Sequence, residues 1–307
     1  VTAVQEVRPL LGDQEPRVCS LPDFDADDSG RNAVALASVA GLVLDPWQRL
    51  VLESGLRRRG GSWAAFEVAL IVARQNGKGA VLEALELAAL FLFPDVRLIL
   101  HSAHEFKTAA EAFLRIRALI EDNPEFDSQV SRIRTAAGAE AVELKDGKRL
   151  RFVARSSGSG RGFTSDLVIL DEAYNLRAQE MAALLPTLSA RPDPQVWYTS
   201  TAGGPDSVQL GRVRARGVAG GDASLAFMEW SAGEHDDPDD LATWAKANPG
   251  MGIRITDEYI ARERAALPPE AFERERLSIG DYPSDGGAWE VVGQDAWSAC
   301  AAPGVRL

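Results

Sequence analysis

An α/β fold, a mostly parallel sheet with helices on both faces, follows from two features of this sequence. Nearly continuous apolar, β-branched runs recur along it, as strands buried on both faces require. Stretches with apolar residues at helical spacing separate those runs, as connections between parallel strands require. The chain has 307 residues, 46% hydrophobic and 25% charged, which suits one large domain or one domain plus an appendage.

Residues 1–32 are polar, Pro-containing and aperiodic, and are expected to form an N-terminal arm. Within it "DADDSG" (25–30) imitates the start of a calcium loop, but Leu36 stands where a bidentate Glu is required. It is expected to be a solvated acidic turn. The main domain is expected over 33–231. "EVALIVA" (67–73) predicts a buried strand, "GAVLEALELAALFLF" (79–93) a buried helix ending before Pro94, and "VRLILHS" (96–102) another strand. "FKTAAEAFLRIRALIED" (106–122) has helical spacing. "AVELKDGKRLRFVA" (141–154) predicts a hairpin around Asp146-Gly147, a favoured turn pair. "DLVILDEA" (166–173), "QVWYTSTAG" (195–203) and "SLAFMEWS" (224–231) complete the strands.

Near residue 232 the composition changes to an acidic loop, "GEHDDPDD", followed by helical patterns. Thr256 is expected to N-cap "DEYIARERAAL", and "EAFERERLSIG" follows Pro268-Pro269. Residues 232–307 are expected to form a small helical subdomain, a linker or lid packed on the sheet.

The net charge of −12 excludes a protein that coats DNA by bulk attraction. Any nucleic-acid contact would need a local basic patch, for which Arg57–Arg59, Lys107, Arg132 and Arg134 are candidates. The two cysteines, Cys19 and Cys300, lack metal-ligand spacing and are expected to be reduced thiols of a cytoplasmic protein. No apolar run approaches the ~20 residues of a membrane span, and residues 1–32 lack the layout of a signal peptide.

The chemistry concentrates at three strand ends. "IVARQNGKGA" (71–80) follows a buried strand and opens a helix, the context of a phosphate-binding loop. Gly77 and Lys78 match the usual G-x-x-x-x-G-K-[ST] pattern, while Val72 and Gly79 replace its first glycine and its hydroxyl. Asp171 and Glu172 end the strand "LVIL", where open α/β sheets place ligands. There an Asp can hold Mg²⁺, and a Glu can orient or deprotonate an attacking water. "YTSTAG" (198–203) ends a third strand with hydroxyls that can sense a γ-phosphate. "DPWQ" (45–48) offers Trp47 and Gln48 to an adenine ring.

Taken in succession, "LDPWQRLVLE", "VARQNGKGAVLEALELAALFLF", "GSGRGFTSDLVILDEAYNL", "WYTSTAG" and "RERLSIGDYP…WEVVGQDAWSAC" resemble the large terminase subunit of tailed bacteriophages, from about residue 40 onward. The resemblance implies a P-loop, RecA-like ATPase core that uses ATP and Mg²⁺ to drive double-stranded DNA into a procapsid. It makes Lys78 the phosphate lysine, Arg74 the extra arginine of a variant phosphate loop, and Gln75, Asn76, Gly77 and Gly79 its remaining nucleotide contacts. Asp171 becomes the magnesium-side carboxylate, Glu172 the catalytic one, and Ser200 and Thr201 the coupling motif. Gln48 and Trp47 fall in the adenine motif. Arg161 matches an arginine finger acting on a neighbouring subunit's ATP, with Arg155 as a weaker competitor. Implied partners are double-stranded DNA, the portal protein, the small terminase subunit and further copies in a pentameric ring on the procapsid, in the host cytoplasm. Because Gly79 has no hydroxyl for Mg²⁺, either water replaces it or hydrolysis is slow. The family's nuclease carboxylates are not found before Leu307, so nuclease activity is not expected of this chain. Two other readings stand beside this one: a DEAD-like helicase, and a degenerate, non-catalytic nucleotide-binding scaffold.

Overall fold

The computed structural model describes residues 11–155 and 164–283. In chain order β1 (Val18–Ser20), α1 (Ser29–Val39) and α2 (Pro46–Gly55) come first, then a small hairpin of β2 (Arg58–Arg59) and β3 (Ser62–Trp63). Pro46 sits in the first turn of α2, where its missing N–H costs nothing, and Gln48 reaches back to the Asp45 N–H at 2.8 Å. β4 (Glu67–Ile71), α3 (Lys78–Phe91), β5 (Leu98–Ala103) and α4 (Phe106–Glu121) follow, close to the spans their patterns predict. A single turn, α5 (Pro124–Asp127), leads into β6 (Val130–Arg134), β7 (Ala141–Leu144) and β8 (Arg149–Ala154). Next come β9 (Leu167–Leu170), α6 (Ala178–Leu188), β10 (Gln195–Ser200), α7 (Val208–Ala219) and β11 (Leu225–Glu229). Three helices close the described chain: α8 (Leu241–Ala247), α9 (Asp257–Ala266) and α10 (Pro269–Arg276).

Among the described residues the main sheet has nine strands in the order β1-β11-β4-β10-β9-β5-β8-β7-β6. The strands from β11 to β8 run parallel, and antiparallel β1 and the β6–β7 pair extend the two edges. This is the predicted fold class. Each central strand is buried on both faces, and the period of two divides its side chains between two cores. Val68, Leu70 and Val72 join the core under α1–α4, while Ala69 and Ile71 join the one under α6 and α7.

A third, smaller core contains Trp244, Met251, Ile260, Phe272 and Leu277. It belongs to the helical segment after residue 232, where Thr256 caps α9 as expected by accepting from the Tyr259 N–H.

The expected N-terminal arm needs correction. Residues 11–32 supply an edge strand and the start of α1. β1 pairs antiparallel with β11, and Arg17 bonds Glu229 at 2.9 Å and Ser231 at 2.7 Å. Gly12 and Asp13 donate backbone hydrogen bonds to Met251 and Ala245 in the helical segment. Three residues of strand leave no readable periodicity, and its attachment is mostly backbone pairing plus one ion pair. Neither leaves a pattern in sequence.

Candidate nucleotide-binding site

Between β4 and α3 the chain turns through Val72–Gly77. The turn uses two left-handed residues, Gln75 at φ 61° and Gly77 at φ 98°. Position 77 needs glycine for a second reason. A Cβ there would lie 2.7 Å from Gln48 Nε2, which donates to the Gly77 carbonyl at 2.9 Å. Past the turn, the first N–H groups of α3 have no intrahelical partners, a ready anion site.

That helix start lines a cleft of about 560 Å³. Arg74, Gln75, Gly77, Lys78 and Gly79 line it together with Asp171, Glu172, Ser200 and Thr201. The sheet explains the meeting, because β4, β10 and β9 are adjacent parallel strands whose C-terminal ends open on the same side.

The acidic turn is held from several directions. The Asp171 N–H donates to the Ser102 carbonyl at 2.9 Å. Asp171 Oδ1 accepts from the Thr199 hydroxyl at 2.8 Å and from the Glu172 N–H at 2.9 Å. Glu172 is left-handed, with φ 53° and ψ 48°, a conformation that costs a non-glycine residue energy and concentrates at functional sites. Its Oε1 accepts from Thr108 at 3.3 Å, whereas Oε2 is buried without a hydrogen-bond partner among the described residues. Ser200 Oγ accepts from the Tyr174 N–H at 3.0 Å, tying the end of β10 to the turn after Glu172.

Lys78 Nζ donates to the carbonyls of Val72 and Ala73 at 3.1 and 3.3 Å. Desolvation pulls its pKa down to about 8, against the attraction of Asp171. An anion in the cleft would restore the charged form. The oxygen donors present suit Mg²⁺, which is commonly held by one or two carboxylates completed by phosphate oxygens and water. Asp171 would be the residue to hold it.

Three expected nucleotide contacts lie elsewhere. Trp47 is fully buried and packs edge-on against Trp230, ring centroids 5.3 Å apart, leaving no face for adenine. Gln48 is buried too, with its amide spent on Asp45 and Gly77, so it shapes the loop from behind. The Asn76 side chain also points away from the cleft. It donates to Asn248 Oδ1 at 3.1 Å and accepts from the Gly250 N–H at 2.9 Å. Arg161 lies outside the described residues. Arg155, its weaker competitor, has a side chain 3% exposed that bonds the backbone of its own acidic turn.

These positions place an anion site, a Lys, a metal-suited carboxylate and a left-handed Glu around one cleft. A family model for the terminase large subunit, ATPase domain, matches residues 46–214, more than half of the chain. The chain belongs to that family.

The terminase large-subunit ATPase fold is also seen in solved structures similar to this one. The HK97 bacteriophage large terminase has 20% identity and a TM-score of 0.72, covering 82% of this chain and 55% of its own. An ATPase-domain variant of the Thermus phage P74-26 large terminase has 18% identity and a TM-score of 0.58, covering 80% and 97%. The large terminase of a thermophilic bacteriophage in complex with ADP has 10% identity and a TM-score of 0.50, covering 70% and 48%. This chain thus spans about half the length of the HK97 protein. No curated protein sequence matches it.

The terminase ATPase match takes in the phosphate loop, Asp171, Glu172, Ser200 and Thr201, but ends before the helical segment. That segment nevertheless reaches the site. Arg254 lines the cleft and pairs with Asp45 at 2.7 Å, and Glu275 pairs with Arg74 at 2.5 Å. Sequence reasoning also missed Glu83 and Arg115, which meet at 2.6 Å beside Gly79. Glu83 had a signal, being one of two carboxylates, with Glu86, in the apolar run of α3. Arg115 and Arg254 had none.

Proposed function

We propose that this chain is the ATP-hydrolysing motor portion of a phage DNA-packaging terminase. The observation that carries the reading is the convergence of Lys78, after β4, with Asp171 and a left-handed Glu172, after β9, on one cleft across the end of the intervening β10. ATP would place its phosphates at the N-terminus of α3, where unpaired N–H groups and the Lys78 ammonium receive negative charge. Glu172, with one oxygen unpartnered, would take the proton of the attacking water. Mg²⁺, held by Asp171 and the phosphates, would supply charge neutralisation. Ser200 and Thr201 would report loss of the γ-phosphate to the turn after Glu172, through the Ser200–Tyr174 hydrogen bond. Arg161 would act in trans, completing the site of the next subunit.

The partners belong to the same reading: double-stranded DNA, the portal protein, the small terminase subunit, and a pentameric ring of this chain on the procapsid, in the cytoplasm of the infected host. Among the basic candidates for DNA contact, Arg58 is paired with Asp193 and Arg134 with Glu143, and Arg57 stacks on Phe24.

ATP turnover measured against protein concentration, with and without double-stranded DNA, tests the proposal. Specific activity should rise with concentration and again with DNA, since a trans arginine is worth ~10³–10⁵ in rate where it has been measured. Absence of turnover at every concentration, with and without DNA, would overturn the motor reading and leave a nucleotide-binding scaffold.

A further inference from the structure

Arg155 follows β8 directly, and its backbone N–H extends the sheet by donating to the Ala103 carbonyl at 2.8 Å. Its side chain then turns under the ends of β5 and β9. Nη1 donates to the carbonyls of Ser102 at 2.9 Å and Asp171 at 2.6 Å, and Nη2 donates to the carbonyl of Glu172 at 2.9 Å. Nε stands 3.9 Å from the Glu180 carboxylate on α6. One guanidinium therefore gathers three backbone carbonyls, two of them from the consecutive residues of the acidic turn.

Burial works against this arrangement, since it pulls the arginine's pKa below its ordinary value while Glu180, Asp171 and Glu172 oppose the shift. A buried cation is retained where its hydrogen bonds are needed. The need lies next to it. A non-glycine residue stays left-handed only where its surroundings over-determine it, and Arg155 grips the carbonyls on both sides of the Glu172 φ/ψ pair. Lysine could not substitute, because its point charge cannot span three acceptors as the planar fork does. Arg155 is not among the residues that line the cleft.

We propose that Arg155 is a positioning residue of the ATPase, holding the left-handed turn that aims the Glu172 carboxylate into the cleft. The proposal rests on Glu172 being the base that activates water. Arg155 acts through the turn, so losing it should slow the chemical step and leave nucleotide binding alone.

The test is a double-mutant cycle in the full chain. Arg155→Lys, Arg155→Gln, Glu172→Gln and the Arg155→Lys/Glu172→Gln double variant are compared for kcat, KM and equilibrium ATP affinity. Single-turnover assays with radiolabelled ATP give the low rates, and circular dichroism checks the fold. Arg155→Lys should lower kcat by ~10–100-fold, part of the general-base contribution, with KM and affinity within about twofold of wild type. In the Glu172→Gln background it should cost less than about twofold more, because a turn that aims no base has nothing left to lose. If Arg155→Gln does not fold, Arg155→Lys keeps the charge and the packing and carries the test alone. Wild-type kcat in a folded Arg155→Lys beside an inactive Glu172→Gln overturns this proposal and spares the base. Losses that multiply in the double variant, or ATP affinity falling in step with kcat, also overturn it. Wild-type turnover in Glu172→Gln overturns the base assignment, and this proposal with it.

Discussion

The phosphate loop has two sides that differ in kind. Toward the cleft, Lys78 has only carbonyls for partners, Glu172 keeps a buried oxygen unpartnered, and Gln75 and Glu172 hold left-handed backbone. Toward the helical segment the polar groups are paired. Asn76 donates to Ala73, Arg74 and Asn248 and accepts from Gly250. Asn248 donates to the carbonyls of Trp244 and Arg276, and Arg276 donates to the Arg74 carbonyl at 3.2 Å. Paired buried amides stabilise a fold, whereas unpaired charge and strain cost stability unless a ligand relieves them. One side thus holds the loop's shape, and the other is left incomplete for what binds there. Substitutions on the two sides should accordingly separate activity from stability.

The largest separation is expected at Glu172. Glu172→Gln should cut ATP turnover by ~10² or more, the scale of general-base loss, with ATP affinity within a few-fold. Its melting temperature should match or exceed the wild-type value, because the change removes a charge whose Oε2 is unpaired. A clear loss of stability would place Glu172 on the structural side of the comparison.

Asn76→Ala should do the reverse. It leaves the buried Gly250 N–H without its partner and Asn248 Oδ1 with only Arg276 Nη1, at 3.4 Å, a cost of roughly 1–3 kcal/mol. Thermal melting should show a fall of several degrees. An unchanged melting temperature would show that the helical segment is not anchored through this amide.

The difference between the two sides also explains how much could be read from the sequence. The strands β4, β5, β9 and β10 are continuous apolar runs because both their faces are buried, and that pattern survives without tertiary knowledge. Lys78, Asp171 and Glu172 were legible because open sheets place function at strand ends. Asn76, inside the phosphate-loop motif, and Gln48, in the upstream DPWQ stretch, both serve the loop's reverse side, and a linear pattern does not say which way a side chain faces. Trp47 was offered to adenine for its ring, yet its neighbour Trp230 comes from the far side of the sequence. The same applies to Asn248, Arg254 and Glu275. Their contacts with the loop span some 170 to 200 positions, and nothing in their local sequence marks them.

A third test uses the charge of Lys78. Its folded pKa of about 8 lies below the ordinary 10.5, so burial disfavours the proton. Below pH 8 the lysine is charged in both folded and unfolded chains, and the penalty is fully present. Between about 8 and 10.5 the unfolded chain binds more protons, so this group's contribution to stability improves as pH rises. Bound phosphate reverses the preference. Binding ATP near pH 9 should therefore take up close to one proton, and near pH 7 only about a tenth of one. Calorimetry in buffers of different ionisation enthalpy measures this directly, and Lys78→Arg should abolish it. Uptake that is flat across this range would mean that Lys78 does not meet the phosphates.

The smallest expected effect falls at Gly79, where the family pattern would have a hydroxyl. A Cβ there would stand 3.3 Å from Arg115 Nη2 and 3.4 Å from Glu83 Oε1. Those contacts are tight, but the arginine end belongs to a side chain half exposed at 51% and can swing aside. Gly79 has no left-handed φ, so serine meets no backbone objection, and replacing a first-turn glycine offsets part of the crowding. Gly79→Ser should therefore fold with a nearly unchanged melting temperature. If Mg²⁺ sits where the pattern places it, the new hydroxyl adds a ligand, and the half-saturating Mg²⁺ concentration at fixed ATP should fall by a few-fold. Arg115→Ala sharpens the result. Removing the guanidinium from beside position 79 should enlarge the effect of the serine if Arg115 competes for that space. An unchanged or higher Mg²⁺ requirement in both Gly79→Ser and the Gly79→Ser/Arg115→Ala double variant would show that position 79 does not face the metal. The missing hydroxyl would then be no defect of this site.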